Sequence, residues 1–111
     1  SGYYGLTLAA VNPDEMITPL AFHVSRNYPN PFNPITTFRV TTAEQSKLEV
    51  NIYGVSGRLV NRLINDNMDA GVHTVHWDGR NQSGYFAPTG VYFLQVISGE
   101  NQHVQKMTLI K

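Results

Sequence analysis

The chain has 111 residues, a formal net charge of zero and no cysteine. Zero net charge argues against a nucleic-acid binder or a polybasic membrane-surface module, because both depend on a positive field. The absence of cysteine excludes a disulfide framework, a thiolate zinc site and a cysteine nucleophile, and no run of ~18 apolar residues is present to span a bilayer. The length suits one domain with one core.

The first twenty residues differ in character from the rest of the chain. Residues 2–11 read as one strand, and residues 12–19 read as a linker that holds two prolines and two acids. We interpret residues 1–20 as the tail of an upstream domain plus a linker, with the alternative that the strand joins a sheet edge of the next domain. The domain proper is then expected at residues 21–111.

From residue 21 onwards, turn-forming pairs occur at short intervals and divide the chain into strand-length segments. The clearest strand is residues 48–53, where apolar and polar side chains alternate with a period of two. Residues 91–97 are almost wholly apolar, which is typical of a central strand covered on both faces. Further strands are predicted at residues 37–41, 72–77 and 104–110.

Residues 58–65 are ambiguous, because their apolar pairs recur four apart, which is helical spacing. The Ser56-Gly57 turn directly after another strand favours a hairpin, so we predict a strand here. About seven strands and no helix then give the expected fold class. It is an all-β, immunoglobulin-like antiparallel β-sandwich without the cysteine pair of antibody domains.

No arrangement of residues favours catalysis or metal binding, so we expect neither an enzyme nor a cofactor. His73 and His76 are three apart and would point to opposite faces of a strand, while His23 and His103 stand alone. Residues 78–84 hold some oxygen ligands of a calcium loop but lack its alternate acids and closing glutamate, which favours two successive turns. The carboxylates are scattered, and no pair is marked out for acid–base chemistry.

Three prolines lie within six residues of the segment 27–34, so this segment cannot be a strand in the middle of a sheet. We expect a stiff ledge with Tyr28 and Phe32 as anchors on the core. The single tryptophan lies on an alternating strand, where it usually fills the core of a sandwich. The residues of this predicted structural motif are Tyr28, Pro29, Asn30, Pro31, Phe32 and Trp77.

The proline-rich segment, the sequence Gly90-Val91-Tyr92-Phe93 and the closing residues 106–111 occur in this order. Together they resemble the C-terminal sorting domain of proteins exported by the type IX secretion system, which belongs to Bacteroidetes and related Gram-negative lineages. Gly54 departs from the pattern, since many members place Asp or Asn there. The core pattern is also similar to the immunoglobulin-like module of flagellar hook-capping proteins, so the fold alone does not settle the role.

The resemblance implies a non-catalytic domain that directs a secreted cargo protein to the cell surface of a Gram-negative bacterium. Its implied partners are the outer-membrane translocon, a sortase-like peptidase and an upstream cargo domain in the same chain, with processing near the linker at residues 12–19. It also implies that Lys111 is a natural C-terminus. We expect the last strand to offer a sheet edge and a charge to a receptor. The candidate recognition residues are Gly90, Val91, Tyr92, Lys106, Met107, Leu109 and Lys111.

Two other functions fit the same sequence. One is an immunoglobulin-like spacer or assembly module of the hook-capping kind, which does not need the lysine-tipped end to be terminal. The other is a carbohydrate-binding appendage of a secreted multidomain enzyme, which requires a row of exposed aromatic side chains.

Overall fold

The structure is a computed structural model that describes residues 21–110 of the chain. The predicted upstream tail and linker at residues 1–20 lie outside the described residues, as does Lys111. Between residues 21 and 110 the chain forms seven strands and no helix. The strands are β1 (His23–Val24), β2 (Thr36–Thr42), β3 (Ser46–Gly54), β4 (Leu59–Met68), β5 (Gly71–Trp77), β6 (Gly90–Ser98) and β7 (Asn101–Leu109).

The strands form two antiparallel sheets. One has three strands in the order β1-β2-β5, and the other has four in the order β4-β3-β6-β7. Strands that follow each other along the chain pair as β1 with β2, β3 with β4, and β6 with β7. The predicted immunoglobulin-like antiparallel sandwich of about seven strands is confirmed.

The core lies between the sheets and follows from the alternation of side chains along each strand. In β3, Leu48, Val50 and Ile52 are completely buried. The facing sheet contributes Phe38 and Val40 of β2, which are also buried. Each sheet therefore buries one face, as expected for antiparallel sheets.

The apolar strand β6 differs from its prediction. It lies inside the sheet between β3 and β7, but only its alternate residues Tyr92, Leu94, Val96 and Ser98 are buried. Phe93 on the opposite face is half-buried and pairs across the sheet with Tyr53. The outer face of β6 is therefore covered in part by neighbouring side chains of its own sheet. Within residues 21–110, no further sheet or helix packs on that face.

The ambiguous segment at residues 58–65 lies in β4, and two irregularities explain its helix-like pattern. The pairing with β3 shifts between Val50 and Asn51 and again between Ile52 and Tyr53. At these shifts Leu63 and Val60 of β4 have no partner of their own, which is the arrangement of a β-bulge. Each bulge adds one residue to the alternation of side chains, so apolar pairs recur four apart while Val60, Leu63 and Ile64 still pack against the core.

No helix long and apolar enough to cross a bilayer is found between residues 21 and 110.

Candidate functional site

The predicted recognition residues lie together at one end of the four-stranded sheet. Gly90, Val91 and Tyr92 begin β6, and their partners on β7 are Leu109, Thr108 and Met107. The two sequence motifs are therefore the two halves of one antiparallel pair. Their proximity follows from the β6–β7 hairpin, in which Ser98 pairs with Asn101.

Burial divides the recognition candidates into two groups. Tyr92, Met107 and Leu109 are 6 %, 0 % and 2 % exposed, so their side chains belong to the core. Lys106 is exposed, whereas Gly90 and Val91 are half-buried. Among the six described candidates, only the Lys106 side chain is fully available to a partner. The buried three can contribute to recognition only by holding the strand in place.

The proline-rich segment covers the outer edge of β7 near its end. The Phe32 N–H donates to the Thr108 carbonyl and the Ile110 N–H donates to the Phe32 carbonyl, both at 2.9 Å. The Thr108 N–H donates to Asn30 Oδ1 at 3.0 Å. Phe32 thus makes a short parallel bridge to Leu109, and the last residues of β7 are paired on both sides.

Of the two predicted aromatic anchors, only Phe32 is one. Phe32 is 1 % exposed, whereas Tyr28 is 81 % exposed, so the prediction for Tyr28 is wrong. The backbone of Tyr28 pairs with Thr37 through two hydrogen bonds of 2.9 and 3.0 Å. This pairing holds the main chain of Tyr28 against β2 while its ring lies in solvent.

Trp77 connects the proline-rich segment to the start of β6. Its ring lies 5.4 Å from the ring of Phe32 and 5.3 Å from that of Tyr92, in tilted and edge-on orientations that aromatic pairs favour. The indole N–H donates to the Arg80 carbonyl at 2.9 Å. At 1 % exposure, Trp77 occupies the core position predicted for it.

Tyr92 is fixed at both ends of its side chain. Its ring packs on Trp77, and its hydroxyl donates to the Pro88 carbonyl four residues upstream. Immunoglobulin-like domains commonly use a tyrosine bonded to upstream backbone in this way. Burial raises the pKa of Tyr92, because desolvation disfavours the phenolate.

A chain of side-chain hydrogen bonds joins the proline-rich segment to β2 and β7. Asn27 is 4 % exposed, and its amide donates to Thr36 Oγ1, which donates to the Pro29 carbonyl. The amide of Gln105 on β7 donates to Asn27 Oδ1 at 3.2 Å. His103 Nε2 lies 2.8 Å from Gln105 Oε1 and donates to it, since that oxygen can only accept.

Sequence analysis missed this network. Asn27 stands at the start of the proline-rich segment, where an asparagine usually caps a turn with its own side chain. Gln105 lies in a strand and carries no local signal at all. Hydrophobicity could not have identified the pair as buried, because both side chains are polar amides. Nor could a local pattern, because Asn27 and Gln105 are 78 residues apart along the chain.

The four histidines and the residue 78–84 loop are the parts of the sequence that could suggest a metal site. Within residues 21–110, no three His, Cys, Asp or Glu side chains are placed to hold an ion. Asn81 Oδ1 accepts the N–H groups of Ser83 and Tyr85, both at 3.0 Å. Asp78 Oδ1 accepts the Arg80 N–H. The loop oxygens therefore cap turns, which is the simpler of the two readings of this sequence.

The fold and the topology define an immunoglobulin-like β-sandwich with three strands on four. The sequence profile of the FlgD Ig-like domain matches residues 33–102, more than half of the chain. The chain therefore belongs to the FlgD Ig-like domain family. No curated protein matches significantly in sequence.

Solved structures of other proteins share the fold, among them the following three. The dimeric latent form of PorU from Porphyromonas gingivalis superposes with a TM-score of 0.65 and 23% identity, over 86% of this chain and 10% of PorU. PorZ from the same organism gives 0.54 and 23%, over 81% of this chain and 11% of PorZ. FlgD from P. aeruginosa gives 0.53 and 24%, over 67% and 57%. The chain thus spans about a tenth of the length of PorU or PorZ.

Proposed function

We propose that the chain is a non-catalytic sorting and anchoring domain, which directs an attached cargo protein through the type IX secretion system to the cell surface of a Gram-negative bacterium. The observation that carries the proposal is the union of the proline-rich segment with the end of β7. These two segments carry much of the resemblance to sorting domains, and both extend beyond the matched family region at residues 33–102. Two backbone hydrogen bonds and one from the Thr108 N–H to the Asn30 side chain join them into one structural unit.

The structural neighbours support this proposal at the level of the fold. PorZ is an essential bacterial surface component of the type IX secretion system. PorU and PorZ superpose on 86% and 81% of this chain, whereas FlgD superposes on 67%. The proposed partners are the outer-membrane translocon and a sortase-like peptidase, with the cargo domain upstream in the same chain.

The test is a fusion of residues 12–111 to a secreted reporter, expressed in a host with an active type IX secretion system. We expect the reporter at the cell surface, and we expect it to stay inside a matched host that lacks the translocon. A lower reporter mass would report processing near the linker. Retention of the reporter inside the competent host would contradict the proposal.

Point substitution is the sharper test of the end of β7, because deleting residues 106–111 would also remove two core side chains. Met107 and Leu109 are 0 % and 2 % exposed. A loss of surface display after the deletion could therefore come from unfolding as well as from lost recognition. Lys106→Glu combined with Lys111→Glu changes charge only, and we expect it to reduce surface display. Lys47→Glu, a charge reversal at an exposed lysine of β3, is the control and should display normally.

A spacer or assembly module is the second candidate function, and the family match favours it. In that case the fusion would be folded and stable but indifferent to the translocon. Retention of a folded, stable fusion inside both the competent and the translocon-deficient host would therefore support the spacer.

A further inference from the structure

A groove of about 900 Å³ opens between β1 and β7, where the edges of the two sheets approach each other. One wall is formed by β1 and the residues that follow it, including His23 and Arg26. The other wall is formed by β7, with His103, Gln105 and Lys106. The hydrogen bond from Gln105 to Asn27 links the two walls.

The groove carries basic side chains without acidic ones. Arg26 and Lys106 are the basic residues of its two walls, and two histidines lie beside them. No Asp or Glu of the described residues lines the groove. The ion pair found among those residues joins Arg80 to Asp78 in the β5–β6 loop, so neither groove cation is neutralised by it. Charge complementarity therefore favours an acidic ligand.

The β7 wall also presents open backbone. The N–H and carbonyl of Thr108 point away from β6, since they bond to Asn30 and Phe32. Backbone groups alternate in direction along an antiparallel edge strand, so those of Lys106, Val104 and Gln102 point the same way. Within residues 21–110 no backbone group bonds to them from outside the β6–β7 pair. The open edge thus runs over residues 102–106 and stops where the proline-rich segment begins.

We propose that an acidic peptide in extended conformation binds here, adding a strand to the β7 edge along residues 102–106. Its backbone pairs with the open donors and acceptors, and alternate side chains enter the groove toward Arg26 and His103. A peptide fits better than an anionic polysaccharide, because the edge offers N–H and carbonyl groups at strand spacing. Five residues of strand span about 17 Å, which suits a peptide of about six residues. The site shares Lys106 with the translocon interaction proposed above, but peptide binding can be measured without the translocon and does not depend on that proposal.

The test uses the purified 111-residue chain and a fluorescent six-residue peptide of alternating valine and glutamate, with binding measured by anisotropy. We expect saturable binding that weakens about tenfold in the double variant Arg26→Glu and Lys106→Glu. Arg58→Glu changes an exposed arginine outside the groove and should bind as the parent does. A peptide methylated on alternate backbone nitrogens should lose binding, since it cannot pair with the edge.

Five outcomes would overturn the proposal. Equal binding of the methylated peptide would show that no strand is added to the edge. Equal binding of a peptide with lysine in place of glutamate would show that the groove has no preference for acidic side chains. Binding of dextran sulfate but not of the peptide would assign the groove to polyanions. Peptide binding seen only after Asp14→Asn and Glu15→Gln would make the chain's own acidic residues the occupant. Retained affinity in the double variant, with its fold confirmed by circular dichroism, would place the peptide elsewhere.

Discussion

Three aromatic side chains hold the end of the sandwich together, and each comes from a different sequence motif. Trp77 of β5 lies between Phe32 of the proline-rich segment and Tyr92 of β6, with ring centres 5.4 and 5.3 Å away. All three are at most 6 % exposed. Motifs that are far apart in the sequence thus depend on one another through a single packed cluster.

Tyr92 should make stability fall at alkaline pH. Burial raises its pKa in the folded state, so the unfolded chain releases the phenolic proton more readily. The stabilisation from the neutral phenol is fully present below the unfolded pKa of about 10 and is lost as pH rises through the folded pKa. Urea unfolding between pH 8 and 11 should therefore show a steeper loss for the parent than for Tyr92→Phe.

At neutral pH, Tyr92→Phe should cost about 1 kcal/mol, because it removes the hydrogen bond to the Pro88 carbonyl. Tyr85→Phe is the matched control, since Tyr85 is 73% exposed. If the free energy of unfolding fell equally with rising pH in the parent and in Tyr92→Phe, the alkaline loss of stability would not come from Tyr92.

Gly79 should tolerate a side chain much less well than Gly84. Both have positive φ angles, +78° and +91°. A Cβ at Gly79 would lie 3.3 Å from the Pro34 carbonyl oxygen, whereas a Cβ at Gly84 would meet nothing within 4 Å. Gly84→Ala should therefore lower the free energy of unfolding by only about 1–2 kcal/mol, the cost of a left-handed backbone conformation for alanine. Gly79→Ala should lower it by more. Equal free energies of unfolding for the two variants would show that the loop does not press on the proline-rich segment.

At the scale of elements, the proline-rich segment protects a sheet edge. Unpaired edge strands promote association with other chains, and proteins commonly cover them. Here Asn30 and Phe32 bond to the last residues of β7, and Asn27 secures the segment from inside. Proline is suited to this position because it has no N–H to offer to a further strand.

Asn30→Ala should open this edge. The variant removes the acceptor of the Thr108 N–H, so we expect a loss of about 1 kcal/mol and faster hydrogen exchange at that amide. We also expect concentration-dependent association in analytical ultracentrifugation. Asn33→Ala is the control, because the side chain of Asn33 is exposed and bonds to nothing within residues 21–110. Unchanged exchange at Thr108 would show that the edge is protected in another way.

At the scale of the whole molecule, the described core is drawn from one continuous stretch of the chain. Its buried apolar residues run from Val24 to Leu109. The chain belongs to the FlgD Ig-like domain family, and PorU and PorZ contain the same fold within much longer chains. A domain of this kind is expected to fold as a unit when attached to other domains.

Removal of residues 1–20 should leave the fold and its stability nearly unchanged. The expected shift in the midpoint of urea unfolding is small, since the buried residues from Val24 to Leu109 already form a core between the two sheets. A matched truncation after residue 105 should unfold the domain, because it removes Met107 and Leu109. Loss of cooperative unfolding on removal of residues 1–20 would instead show that this segment joins a sheet, as the alternative interpretation holds.

The amino-acid pattern was enough to predict the fold class and most strands, because alternation of apolar side chains is a local property that a two-sheet core imposes on each strand. It also indicated the burial of Trp77 and Phe32. Three features could be seen only in the folded chain: the edge that the proline-rich segment covers, the exposure of Tyr28 and the bond between Asn27 and Gln105. These outcomes depend on contacts between residues far apart in the chain, and such contacts leave no periodic pattern in the segments that make them. The bulges of β4 were hidden for a related reason: the register of a strand is set by its partner, not by its own sequence.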